Sequence, residues 1–150
     1  MLNYLKHYQA DATAIQHPEN LSPLRQTSEF RRLQALRHHL RLHAGESLLD
    51  CGCGSGWFAE LCREKGARVT AMDVALSGVR GARSRYPRVN RFRVADVYRL
   101  PFAASSFDAV VLSEVVEHLE DVDAALAEVL RVLKPGGRVL ISVPFREHIL

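Results

Sequence analysis

Cysteine is scarce in this sequence of 150 residues, which contains only Cys51, Cys53 and Cys62. Three cysteines cannot all pair with one another, so we expect no disulfide framework and a reducing, cytoplasmic environment. Cys51 and Cys53 form a C-x-C pair, but no second cysteine pair is present to complete a tetrahedral zinc site. The cysteine pattern therefore predicts no metal centre built on these thiols.

Long apolar runs are also missing. No run approaches the about 20 residues that cross a bilayer, and residues 1–17 lack the apolar core of a signal peptide or membrane anchor. The composition, 47% hydrophobic and 25% charged, is typical of a folded globular chain. We therefore predict at most one ordinary domain with no membrane span.

A strong charge of one sign is absent as well, because the formal net charge is only +3. Seven arginines nevertheless lie between Arg80 and Arg99, with Tyr86 and Phe92 among them. Basic residues beside aromatic ones can bind single-stranded nucleic acid. A solvated helix face followed by a charged edge strand explains the same residues, so nucleic acid is the less favoured partner.

The pattern of the chain changes at Ser47. Residues 1–46 show helical but no strand-like patterns, and we predict a helix that starts after an N-cap at Thr27 or Ser28. From residue 47 onward strand-like runs alternate with helical ones, which predicts βαβ units and a parallel sheet. The prediction is an α/β, Rossmann-like doubly wound fold of about five strands over residues 47–150, preceded by a helical cap over residues 1–46. The strand-like runs are SLLD, ARVTAMD, RFRVAD, FDAVVLS and GRVLISVPF, and a helix opening at Asp121 is expected to bury Val122, Leu126, Val129, Leu130 and Leu133.

Two of these strands are expected at the edges of the sheet. Arg91 and Arg93 make the third strand suitable for an edge, whereas the fifth strand is apolar and the sequence stops soon after Val143. An apolar strand at an open edge invites pairing with another chain. We therefore expect this chain to be the front part of a longer protein, or to form a homodimer through the fifth strand.

Three alternate glycines follow the first strand. Gly52, Gly54 and Gly56 lie where a strand leads into a helix, and in a doubly wound sheet this loop is a ligand site. A dinucleotide fingerprint would need glycine at position 57, where the sequence has Trp57. A nicotinamide-dependent oxidoreductase is therefore the weaker interpretation of this loop.

The spacing D-x-G-x-G-x-G in LLDCGCGSG resembles the first motif of the class I S-adenosylmethionine-dependent methyltransferases. The resemblance extends over about residues 46–146 and is closest to the methyltransferase type 11 and ubiquinone-pathway O-methyltransferase groups. It implies that Asp73 binds the ribose hydroxyls, that Asp96 meets the adenine amino group and that Val97 contacts the ring. The full set of cofactor-binding residues implied for S-adenosyl-L-methionine is Asp50, Gly52, Cys53, Gly54, Gly56, Asp73, Val74, Asp96, Val97 and Ser113. The family sheet has seven strands, and this chain lacks a sequence counterpart for the last two.

The resemblance also implies a reaction, methyl transfer to a small-molecule acceptor, with a hydroxyl as the expected group. His118, after the fourth strand, is the candidate base, because its pKa range suits proton abstraction. Glu114, Glu117 and His118 spell E-x-x-E-H, which resembles the metal-binding motif of small-RNA 2′-O-methyltransferases, although we favour a reaction without metal. The remaining alternatives are an RNA 2′-O-methyltransferase-like enzyme and a fragment that binds the cofactor without turnover.

Overall fold

The computed structural model describes residues 21–144, and its first element is a helix, α1 (Pro23–Leu40). The side chain of Ser22 caps this helix by accepting a hydrogen bond from the Arg25 N–H at 3.4 Å, and Pro23 occupies the first turn. The predicted start after Thr27 or Ser28 is therefore wrong. Proline at the first helical position needs no N–H partner and has its φ already set for a helix, so Ser22–Pro23 begins the helix one turn earlier.

Strands and helices alternate after α1, as predicted. The order is β1 (Ser47–Cys51), α2 (Trp57–Arg63), β2 (Arg68–Asp73), α3 (Leu76–Arg85), β3 (Arg91–Val94), β4 (Phe107–Ser113), a 3₁₀ turn (Val116–His118), α4 (Val122–Val132) and β5 (Leu133–Ser142). No helix within residues 21–144 is long and apolar enough to span a membrane. Tyr4, His7 and Tyr8, which the sequence places on one face of a predicted helix as candidate substrate contacts, lie outside the described residues.

The five strands form one sheet in the order β3-β2-β1-β4-β5, and all neighbours are parallel. The predicted α/β, Rossmann-like fold is therefore confirmed. The strand order reverses between β1 and β4, so a crevice opens at the carboxyl ends of these two strands, which is where ligands bind in such sheets. The division into a cap over residues 1–46 and a domain over residues 47–150 stays a prediction.

Both faces of the sheet are covered by core residues. β4 is buried along most of its length, with Val110, Val111 and Leu112 at 0% exposure, as its continuous apolar run predicts. Phe58 and Leu33 pack on one face, whereas residues of α4 pack on the other. The central strands are therefore held between layers of helices, and their carboxyl ends have fixed positions.

The buried face of α4 differs from the predicted one. Val129 is buried as predicted, but the other buried residues are Ala125 and Val132, whereas Val122 and Leu130 are 38% and 63% exposed. Both stripes have helical spacing, so periodicity alone does not choose between them. The stripe that begins with the small Ala125 is the one that packs against the sheet.

The two edges of the described sheet differ in charge, as expected. β3 carries exposed Arg91 and Arg93, although Val94, which alternates with them, is also exposed. On the opposite edge β5 pairs with β4, and Ile141 and Val143 near its end are exposed. Association of two chains through β5 stays a prediction.

Candidate functional site

The loop between β1 and α2 is held in a backbone conformation that favours glycine. Gly52 has φ +76°, and a Cβ at this position would lie 2.5 Å from Cγ2 of Val115. The N–H groups of Gly52 and Cys53 both donate to the carbonyl oxygen of Met72 at 2.8 Å. The loop is therefore fixed to the end of β2 by its own backbone, in a conformation closed to larger residues.

The other two glycines of the loop have different surroundings. Gly54 has φ +48°, and a Cβ there would meet nothing within 4 Å. Gly56 has φ +78° and packs against α3, where a Cβ would lie 2.9 Å from Cβ of Ala82. Gly54 thus leaves open space beside the backbone, whereas Gly56 allows the loop to approach a neighbouring helix.

Asp73 joins the end of β2 to this loop. It is 6% exposed, and its two carboxylate oxygens accept from the N–H groups of Gly54 at 3.0 Å and Ala75 at 2.9 Å. Each oxygen of an ionised carboxylate can accept more than one hydrogen bond. The side chain is therefore both oriented by the backbone and able to accept from the hydroxyls of a ligand.

Asp50 lies beside Asp73 and is 2% exposed. Burial, and next the negative charge of Asp73, raise the pKa of Asp50 to about 7. Its Oδ2 atom has no hydrogen-bond partner among the described residues, although buried polar atoms are nearly always paired. A cation or an N–H donor of a ligand would supply the missing partner.

These residues surround a cavity of about 610 Å³, within the size range of small-molecule sites. It opens at the carboxyl ends of β1, β2 and β4, where the strand order reverses. Its wall includes Asp50, Gly52, Cys53, Gly54, Asp73, Val74, Val97 and Ser113, all of which the sequence resemblance named. The structure therefore brings most of the predicted cofactor-binding residues together.

Two predicted cofactor-binding residues do not line the cavity. Gly56 contacts α3 instead. One carboxylate oxygen of Asp96 accepts a hydrogen bond from the N–H of Tyr98 at 3.0 Å. The residues on either side of Asp96, Ala95 and Val97, line the wall. Asp96 closes a local turn of a kind that aspartate commonly forms. The contact of Asp96 with an adenine amino group stays a prediction.

A second part of the wall is built from α1 and the end of β4, where sequence analysis named Ser113 and Glu114 but missed Arg32 of α1. Arg32 donates to Oγ of Ser113 at 2.9 Å and lies 3.3 Å from the carboxylate of Glu114. Its guanidinium also binds Glu29 one turn away, at 3.0 Å and 2.6 Å. The helical spacing of α1 carries no sign of a site, because Arg32 finds these partners only when α1 packs beside β4.

His118, the predicted base, does not line the cavity. It ends the 3₁₀ turn after β4, its side chain is 48% exposed, and its Nε2 atom is 4.0 Å from a carboxylate oxygen of Glu117. Of the E-x-x-E-H residues, only Glu114 belongs to the wall. Within residues 21–144 no group of three His, Cys, Asp or Glu side chains is arranged to hold a metal ion.

The arginines between Arg80 and Arg99 lie away from the cavity. All except Arg85 are exposed, and none of them lines the wall. Their placement on α3, on β3 and in the neighbouring loops agrees with a solvated surface. Nucleic acid as a partner stays the less favoured prediction.

Comparison with known proteins shows the family to which the chain belongs. The profile of the methyltransferase domain family matches residues 49–141, which include the glycine loop and all five strand regions of the sheet. A malonyl-acyl-carrier-protein O-methyltransferase from Serratia marcescens is 42% identical over 100 residues, covering 67% of this chain and 39% of that protein. A demethylmenaquinone methyltransferase from Thermobifida fusca is 41% identical over 103 residues, covering 66% of this chain and 44% of that protein.

A solved structure shows the same relationship. Phosphoethanolamine N-methyltransferase 2 from Haemonchus contortus, in complex with phosphomonomethylethanolamine and S-adenosylhomocysteine, superposes with a TM-score of 0.70 at 28% identity. The match covers 75% of this chain and 28% of that one. The chain thus spans less than half the length of each of these relatives. It belongs to the methyltransferase domain family, among the class I S-adenosylmethionine-dependent methyltransferases.

Proposed function

We propose that this chain binds S-adenosylmethionine in the cavity at the carboxyl ends of β1, β2 and β4, and that the whole protein transfers its methyl group to a small-molecule acceptor. One observation carries the proposal: the glycine loop, the buried Asp73 and the unpartnered oxygen of Asp50 line one 610 Å³ cavity. These groups match the parts of the cofactor. The carboxylate of Asp73 would accept from the ribose hydroxyls, and Asp50 would face the ammonium group of the methionine part.

The adenine ring would lie against the apolar wall. Val74, Ala95 and Val97 line the cavity near the ends of β2 and β3, next to Asp73. The loop backbone at Gly54 leaves open space for close approach of the cofactor. The cofactor supplies an activated methyl group when it is bound, so the residues of the chain chiefly position the reactants and exclude water.

The acceptor is proposed to be a small molecule with a hydroxyl group. The activities in the names of the relatives include O- and N-methyl transfer, so family membership alone leaves the acceptor open. The wall formed by Arg32, Ser113 and Glu114 is polar and suits a hydroxyl better than an apolar carbon. The carboxylate of Glu114, which lines the cavity, would accept the hydrogen bond of that hydroxyl, whereas His118, which lies outside the cavity wall, stays only a prediction as the base.

Calorimetric titration with S-adenosylhomocysteine, with NADH as the control ligand, tests the cofactor proposal. We expect micromolar binding of S-adenosylhomocysteine, no binding of NADH, and a loss of affinity of about 100-fold or more in Asp73→Asn. The matched control is Asp123→Asn, an exposed aspartate on α4 that is remote from the cavity wall. Binding of NADH alone would overturn the proposal in favour of an oxidoreductase, and equal affinities for wild type and Asp73→Asn would show that the ligand binds elsewhere.

A further inference from the structure

The wall opposite Asp73 depends on a residue outside the part of the chain that matches the family. Arg32 belongs to α1, whereas the family profile begins at residue 49. Its hydrogen bond to Ser113 joins residues that are 81 positions apart in the sequence. Among the described residues, Arg32 is the only side chain of α1 with a hydrogen bond or ion pair to a strand end. A single side chain therefore makes the polar connection between α1 and the sheet.

The partners of Arg32 extend across two strands. Oγ of Ser113 lies 3.0 Å from Oγ of Ser142 at the end of β5, and the N–H of Glu114 donates to the carbonyl oxygen of Ser142 at 2.8 Å. Arg32 thus contacts a hydrogen-bonded cluster at the carboxyl ends of β4 and β5. The planar guanidinium can bind several acceptors at once, which an ammonium group cannot do in the same geometry.

Glu114 adds a strained element to this cluster. Its φ is +56°, a conformation that is uncommon for a residue with a side chain and is kept only where its surroundings hold it. Arg32 lies 3.3 Å from its carboxylate, while the backbone N–H of Glu114 is bound to β5. Arg32, Glu29, Ser113 and Glu114 all line the cavity. The strained residue therefore faces the space that the proposed function assigns to the reactants.

We propose that Arg32 is a positioning residue that fixes α1 and Glu114 against the ends of β4 and β5, and so keeps the bound cofactor in the cavity. This inference rests on the proposed function. While Arg32 bridges α1 and β4, the cofactor dissociates slowly, because α1 forms one wall of the site and holds the cofactor in place. Loss of the bridge loosens the part of the wall around Arg32, while Leu33 and Leu40 keep α1 packed in the core, and this accelerates dissociation more than it slows association.

The only tryptophan of the chain provides the measurement. Trp57 lines the cavity and its ring lies 5.9 Å, centroid to centroid, from that of Phe30 on α1. Stopped-flow fluorescence of Trp57 therefore follows both cofactor binding and the position of α1. We expect Arg32→Gln to raise the dissociation rate of S-adenosylhomocysteine about tenfold and to change the association rate by less than about threefold.

The matched control is Arg31→Gln, which removes an exposed arginine from the same helix outside the cavity wall. Arg31→Gln should keep both rates within about twofold of wild type. Arg32→Lys keeps the charge but cannot bridge Ser113 and Glu29 together. S-adenosylhomocysteine should therefore also dissociate faster from this variant than from wild type. If Arg32→Gln does not fold, as judged by circular dichroism, Arg32→Lys and Ser113→Ala decide the question.

Hydrogen exchange separates positioning from general stability. In wild type, S-adenosylhomocysteine should slow exchange of backbone amides in both the glycine loop and residues 23–40. In Arg32→Gln, it should still protect the loop but no longer protect residues 23–40. Unchanged dissociation rates together with unchanged protection of α1 would overturn the role of Arg32, whereas failure of wild type to bind S-adenosylhomocysteine would overturn the proposed function itself.

Discussion

The two walls of the cavity are built from different kinds of contact. On the β1–β2 side the contacts involve backbone groups, since the N–H groups of Gly52 and Cys53 bind the Met72 carbonyl and Gly54 binds Asp73, 19 positions away. On the β4–β5 side α1 is joined to the strand ends by side-chain contacts, and the hydrogen bond from Arg32 to Ser113 spans 81 positions. The first wall is therefore complete once β1 and β2 pair, whereas the second also requires α1 to pack beside the sheet.

The strongest way to disrupt the backbone wall is a methyl group at Gly52. Gly52→Ala places Cβ 2.5 Å from Val115 and forces a left-handed φ on a residue with a side chain. We expect a loss of about 3 kcal/mol in the free energy of unfolding, measured by urea denaturation. The paired variant Gly54→Ala should lose only about 1 kcal/mol, because its Cβ meets nothing within 4 Å. Equal losses in the two variants would show that close packing does not hold this wall.

The same difference explains how much of the site the sequence predicts. Glycines at alternate positions after a strand report a local backbone requirement, so the loop can be predicted from the sequence alone, whereas Asp73 was implied by the family resemblance. Arg32 is one of several arginines on a helix, and only long-range packing selects it. The position of His118 outside the cavity follows from the 3₁₀ turn at Val116–His118, which carries no distinct signal in the sequence.

Local pattern has the same limit in the fold. The strand order and parallel pairing follow from alternation of strands and helices, which is a property of the whole sequence. The buried face of α4 does not follow from the sequence pattern, because the stripe containing Leu126 and the stripe containing Ala125 have the same helical spacing. Close packing against the sheet decides between them, and it depends on residues far away in the chain.

Per pH unit, the pH dependence of stability is a smaller effect on the backbone wall than the loss expected for Gly52→Ala. The pKa of Asp50 is raised from 3.8 to about 7. Between about pH 4 and 7, Asp50 therefore keeps its proton in the folded protein and is ionised in the unfolded chain. This residue therefore lowers the free energy of unfolding as pH rises through that range, by at most about 1.4 kcal/mol per pH unit. Asp50→Asn should lack this contribution.

The comparison of wild type with Asp50→Asn is needed because other carboxylates act in the opposite direction. The pKa values of Asp108 and Glu128 are lowered, mainly by hydrogen bonds to Lys134 and Arg131, so they stabilise the fold at higher pH and lose this effect in acid. Urea denaturation of both proteins from pH 4.5 to 7.5 measures the difference. Parallel curves would contradict the raised pKa of Asp50.

The smallest effect is expected at His118, which belongs to neither wall. His118→Ala should leave the affinity for S-adenosylhomocysteine within about twofold and the free energy of unfolding within about 0.5 kcal/mol of wild type. The exposed His39 on α1 offers the matched control, His39→Ala. A tenfold loss of affinity in His118→Ala would show that the 3₁₀ turn contributes to the side-chain wall after all. Without such a loss, a fall in methyl transfer by the whole protein would arise after cofactor binding, in acceptor binding or in proton transfer.

The reactivity of the three thiols reports how often this region opens. Cys51, Cys53 and Cys62 are buried in and around the glycine loop, and burial raises the pKa of each thiol. Alkylating reagents and oxidants react with the thiolate, so buried thiols with raised pKa values react slowly in the folded protein, although Cys53 borders the cavity. The rate of labelling therefore measures how often the loop and its neighbouring elements open. Cofactor binding in the cavity would slow the modification of these thiols, and the measurement does not require the identity of the methyl acceptor.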